Sequence, residues 1–195
     1  MRRMLSILAA GGIALAATGL IPPSTATAQS AACKITGPAE QYNLTLDDFG
    51  RGGEPYTQRD DRDYWGGNGH LIAYHRGDFD AWLSTPTGGS VFSGVVIAQD
   101  AAAAADDMRS AVSGWTGDWK AAYDAQPQSN VGEEMTVVTR LTPWEIADQQ
   151  PMTEVFLAFR RCNASGQINL LVMPELDPVN AALNYARILD QRLRG

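Results

Sequence analysis

The chain is short of the residues that make recognisable chemistry. In 195 residues it has two histidines and two cysteines, and its 15 basic residues are outnumbered by 22 acidic ones. Each shortage removes a class of protein. A zinc site needs three or four converging His, Cys or carboxylate ligands. His70 and His75 stand five apart, so on a regular strand they point to opposite faces and cannot share an ion. Asp60, Asp61 and Asp63 in "RDDRD" look calcium-like, but the D-x-D-x-D-G framework with its distal Glu is missing, and Arg59 and Arg62 compete with a cation. No metal and no cofactor are expected. The deficit of positive charge excludes a phosphate-tracking surface, so nucleic acid is not a partner. There is no G-x-S-x-G elbow. After Ile21 no second apolar run of about 18 residues follows, which argues against stable membrane insertion once a leader is removed.

A leader is present at the N-terminus. Arg2 and Arg3 precede an apolar run from Leu5 to Ile21, Pro22 and Pro23 break it, and Ala26-Thr27-Ala28 offers a small-x-small cleavage site. Residues 1–28 are expected to be a secretory signal peptide. Cleavage leaves 167 residues, one domain of ordinary size. It removes two of the fifteen basic residues and no acidic one, so the net charge moves from −7 to −9. In an exported chain Cys33 and Cys162 most simply form one disulfide. Lipid attachment at Cys33 is the weaker alternative, since Ser30 stands where a lipobox carries Leu. The expected location is secreted, or periplasmic in the cell envelope.

Residues 29–62 form a polar, turn-rich segment, and 63–195 a single domain with halves at about 63–125 and 131–195. "GNGHLIAYHR" (67–76) and "VFSGVVIA" (91–98) are expected strands, followed by a helix from Ala101 to about Trp119 with Asp100 as N-cap. Met135–Leu141, Thr153–Cys162 and Gln167–Met173 alternate as strands, with a turn at Asn163–Gly166. Asp177 and Pro178 open a last helix whose Leu183, Ala186, Leu189 and Leu193 share one stripe. The expected class is α+β: an antiparallel sheet with helices packed on one face, in two strand–strand–helix halves.

The ordered segments "LTLDDFG", "SVFSGVVIAQDAAAAADDM", "VGEEM", "VFLAFRRCNASGQINLLV" and "ALNYARILDQRL" resemble small exported bacterial sensor-like domains, some of them the extracellular parts of receptor kinases. The resemblance spans most of Leu44 to Leu193. Glu133 replaces that pattern's usual Asp, and Cys162–Gly166 departs from its Arg-x-Gly-Asn hairpin. What the resemblance implies is an α+β ligand-binding or sensing domain. It brings no catalytic residues.

Three functions compete. The first is a non-catalytic module holding a small or apolar ligand, with Tyr64, Trp65, His70, Tyr74 and Trp82 as binding residues, because aromatics on a glycine-rich loop make a platform or lid. The second is a secreted hydrolase using His70 or His75 as general base, with Ser93 and Asp78 completing a set. The third is a structural or interaction protein of the envelope, whose partner is another envelope protein. Arg76-Gly77-Asp78 closes a strand and is expected to be a hairpin turn.

Overall fold

The computed structural model describes residues 33–49, 57–64, 67–76, 89–116, 131–142, 152–172 and 177–195. Residues 1–28, Trp65, Asp78, Trp82 and Trp119 lie outside them.

Six strands and two helices follow one another as β1 (Thr57–Tyr64), β2 (Gly69–Arg76), β3 (Gly89–Ile97), α1 (Ala101–Thr116), β4 (Glu134–Thr142), β5 (Met152–Arg161), β6 (Ala164–Val172) and α2 (Pro178–Arg194). They build one sheet in the order β1-β2-β3-β6-β5-β4, with every neighbouring pair antiparallel. Two three-stranded meanders therefore meet along β3 and β6. The α+β class and the antiparallel sheet are as expected, with three strands before each helix.

Alternation decides which side chains go where. On β5, Val155, Leu157 and Phe159 join Ile168, Leu170, Val172 and the α2 stripe of Ala182, Leu183, Ala186, Leu189 and Leu193 in the main core. Phe156 and Ala158 point the other way and pack with Met108, Ala111 and Val112 of α1. Trp115 of α1 stacks on Phe156 at 5.4 Å. The helices thus cover opposite faces of the sheet rather than sharing one, because both faces of β5 carry apolar side chains. Both helices start as expected. Asp100 accepts from the Ala103 N–H at 2.8 Å, and Asp177 from the Asn180 N–H at 3.1 Å ahead of Pro178.

Three local expectations are corrected. The polar "TQRDDRDY" is not loop but strand β1, on the edge of the sheet beside β2. An edge strand needs no apolar stripe, and charge there discourages pairing with other chains. The turn at Asn163–Gly166 is shorter than expected: Cys162 and Asn163 alone link β5 to β6, with Arg161 opposite Ala164. Cys162 has φ 53°, which suits the first central position of a type II′ hairpin turn. Finally, residues 33–49 are not peripheral. They run as a strap over the α2 face through two 3-10 turns, Ala39–Tyr42 and Leu46–Asp48, and bury Ile35, Ala39, Leu44 and Phe49 in the main core.

The strap is held unevenly. Its second half buries Leu44 and Phe49, at roughly 2 kcal/mol each. Arg192 of α2 donates to the Asn43 carbonyl and reaches Asp48 Oδ1 at 2.7 Å. The first half buries Ile35 and the small Ala39 and is tied by Asn163, which accepts from the Ile35 N–H at 2.7 Å and donates to the Ile35 carbonyl at 3.1 Å. The Cys33–Cys162 disulfide closes its end.

Candidate functional site: a cleft under the strap

Between the strap and the β1–β2 hairpin lies a cleft of about 620 Å³. Register explains its lining. Asp61 pairs with Ile72, Asp63 with His70 and Gln58 with Tyr74, so the strap-facing side of β1 is polar and that of β2 carries His70, Ile72 and Tyr74. The strap adds Glu40, Gln41 and Asp47, with Leu46 standing 45% exposed at the rim. The described lining thus offers three carboxylates, two primary amides and an apolar strip of Leu44, Leu46 and Ile72, with no lysine or arginine.

One hydrogen-bonded chain forms the back of the cleft. Ser93 Oγ donates to Asn43 Oδ1, which also accepts from the Leu44 N–H at 2.8 Å. Asn43 Nδ2 faces the carbonyls of Ser93 and His70, both at 3.1 Å, and His70 Nδ1 at 2.8 Å. Two carbonyls and a backbone N–H fix which way the amide points. Nδ1 must therefore accept, which places the imidazole proton on Nε2. That proton is donated to Asp61 Oδ1 at 2.7 Å, and Gln58 Nε2 donates to Asp61 Oδ2 at 2.7 Å. The residues run Gln58–Asp61–His70–Asn43–Ser93 across three strands and the strap.

Asp61 and His70 have the pairing of an acid–base dyad, but the next group is an amide. Both ring nitrogens are engaged inside the fold, His70 is 3% exposed, and Ser93 is fully buried with its hydroxyl committed. A general base needs a ring nitrogen aimed at the substrate. The arrangement instead holds the Asp61 carboxylate still at the cleft surface.

Tyr74 closes the floor. Its hydroxyl donates to the Leu44 carbonyl at 3.2 Å, and its ring lies 4.8 Å from that of Phe49, which contacts Tyr185 of α2 at 5.1 Å. Burial first, and the Asp61 and Asp48 charges after it, push its phenol up to about 12. It stays a neutral donor throughout the physiological range.

The expected binding residues divide between the two faces. His70 and Tyr74 share the cleft. Tyr64 faces α1, its ring over Gly69, where a Cβ would fall 2.6 Å from the ring carbon Cε2. Burial and the Asp107 carboxylate push its hydroxyl up to about 12. His75 is also turned to that side, its ring edge-on to Phe92 at 5.8 Å. Trp65, Trp82 and Asp78 lie outside the described residues. Cys33 and Cys162 are joined as expected. With Glu133 they bring three ligand-type atoms within 4.8 Å, but a disulfide offers no thiolate to a metal. Among the described residues no helix is long and apolar enough to cross a membrane.

Comparison with known protein families, curated proteins and solved structures finds no match.

Proposed function

We propose that the protein is an exported, non-catalytic binding or sensing domain that holds a small ligand in the cleft under the strap. The observation that carries this reading is the locked Gln58–Asp61–His70–Asn43 chain, which presents a rigid acceptor beside an apolar strip. Pre-organised polar groups beside an apolar strip give a small-molecule site both orientation and contact area. The ligand supplies hydrogen-bond donors to Asp61, Asp47 and Glu40 and lays an apolar part on Leu46. The leader sequence and the Cys33–Cys162 bridge support an extracytoplasmic location. Binding is favoured over hydrolysis because the His70 nitrogens are both used within the fold.

The test is thermal stability of the mature chain against a panel of small amines, amino sugars and amphiphilic alcohols. At least one should raise Tm, and Leu46→Asp together with Gln58→Ala should cancel that rise while leaving the unliganded Tm within a few degrees. A panel that never shifts Tm, or a shift that survives both substitutions, defeats the proposal. Turnover of an ester or glycoside panel that is lost in His70→Ala would return the hydrolase.

A further inference from the structure

We infer that the Cys33–Cys162 disulfide is a redox latch for the first half of the strap, with its hinge at Asn43. The strap makes no strand pairing with the sheet, so it is held by side chains and by its ends. On the carboxyl side of the hinge the hold is dense: Asn43 is buried among His70 and Ser93, Leu44 and Phe49 are in the core, and Arg192 grips Asn43 and Asp48. On the amino side, residues 33–42 have two hydrogen bonds to Asn163, the burial of Ile35 and Ala39, the half-buried Tyr42 against the core, and the bridge. With cleavage after Ala28 only four residues precede Cys33. The bridge is then what keeps this stretch from being a chain terminus, and termini without such a tie fray.

The geometry suits opening as well as closing. Cys33 is exposed and borders a separate cleft of about 570 Å³ beside the start of α1, so a dithiol can reach its sulfur. The attacking thiolate forms a mixed disulfide with Cys33 Sγ and expels Cys162 as thiolate, which takes a proton. The second thiol of the reductant then displaces Cys33, leaving two protein thiols and one oxidised reductant. Cys162 Sγ lies 3.8 Å from Glu133 Oε1, so the new thiol has an acceptor and the hairpin can keep its shape. Release of residues 33–42 takes Glu40 and Gln41 away from the cleft while Asp61 and His70 stay in place. That this changes ligand occupancy rests on the binding function proposed above; the latch itself does not.

Two amides report the latch without any ligand. The Ile35 N–H donates to Asn163 on the amino side of the hinge, and the Leu44 N–H to Asn43 on the other. Amide hydrogen exchange is measured on the mature chain, oxidised and then reduced with dithiothreitol. Reduction should bring Ile35 to within about tenfold of an unstructured peptide, while Leu44 and the β3 amides remain protected at least about a thousandfold. Cys33→Ser should reproduce this pattern without reductant. Persistent protection at Ile35 would show that the bridge is not the latch. Loss of protection at Leu44 and β3 together with Ile35 would show a staple for the whole fold, and would equally overturn the inference.

Discussion

Asn43 spends its whole hydrogen-bonding capacity inside the fold, linking the strap to β2 and β3 through His70 and Ser93. Asn43→Ala leaves the buried Ser93 hydroxyl, the Leu44 N–H and His70 Nδ1 without the partner Asn43 gives them, each worth about 1–3 kcal/mol when unsatisfied, with the sum reduced by relaxation. A loss of about 3 kcal/mol in urea unfolding is expected. Ser93→Ala should cost only about 1 kcal/mol, because the Leu44 N–H still satisfies Asn43 Oδ1. Near-equal costs for the two substitutions would contradict the hub. Nothing in "QYNLTL" marks this asparagine, because its role exists only when residues 27 and 50 positions away arrive beside it. His70 and Tyr74 were legible as sharing a face, since period-two spacing on a strand needs no tertiary information. Asp61 was visible only as one of several charges in "RDDRD".

Each helix is anchored to the sheet by one aspartate, and the two respond to pH with opposite sign. On α2, burial alone would raise the Asp190 carboxyl, but hydrogen bonds from Arg161 and Arg194 outweigh it and hold it below the ordinary range. A depressed folded value means stability that is present above the unfolded pKa of about 4 and lost as pH falls through the folded one. Asp190→Asn should therefore cost about 3 kcal/mol at pH 7, as for any buried pair with one partner removed, and less as the medium becomes acid. On α1, burial raises the Asp107 carboxyl despite a hydrogen bond from Ser165. Its charge opposes folding above the raised value, and the opposition ends once both states are protonated. Asp107→Asn keeps an acceptor for Ser165, so it should stabilise the protein at pH 7, with the gain fading towards pH 4. Thermal melts of both variants from pH 3.5 to 7.5 check this, and parallel pH trends would refute it. The helices themselves were legible from caps and three- and four-residue spacing. Which face each one covers was not, because β5 is apolar on both sides and alternation alone cannot assign a helix to either. Strand β1 was hidden for a related reason: its inner side faces a cleft and a histidine rather than a core.

At the scale of the molecule, two meander-and-helix halves meet along β3 and β6, and the strap crosses between them. It rests on β2 and β3 of the first half while Cys33 is bonded to the β5–β6 turn of the second. The bridge spans 129 positions, so its removal enlarges the unfolded ensemble by nearly the whole described chain. The chain-entropy relation gives about 4–5 kcal/mol for such a loop. The reduced native state recovers part of that entropy if residues 33–42 fray, so Cys33→Ser should lower urea stability by less, about 2–4 kcal/mol. The transition should remain single, because β3 and β6 pair along their whole length, with buried Val91 and Val95 beside Ile168 and Leu170. Circular dichroism and tryptophan fluorescence should therefore follow one curve in urea. Two separated transitions would mean that the halves fold independently and that the bridge, not the β3–β6 seam, makes them one domain.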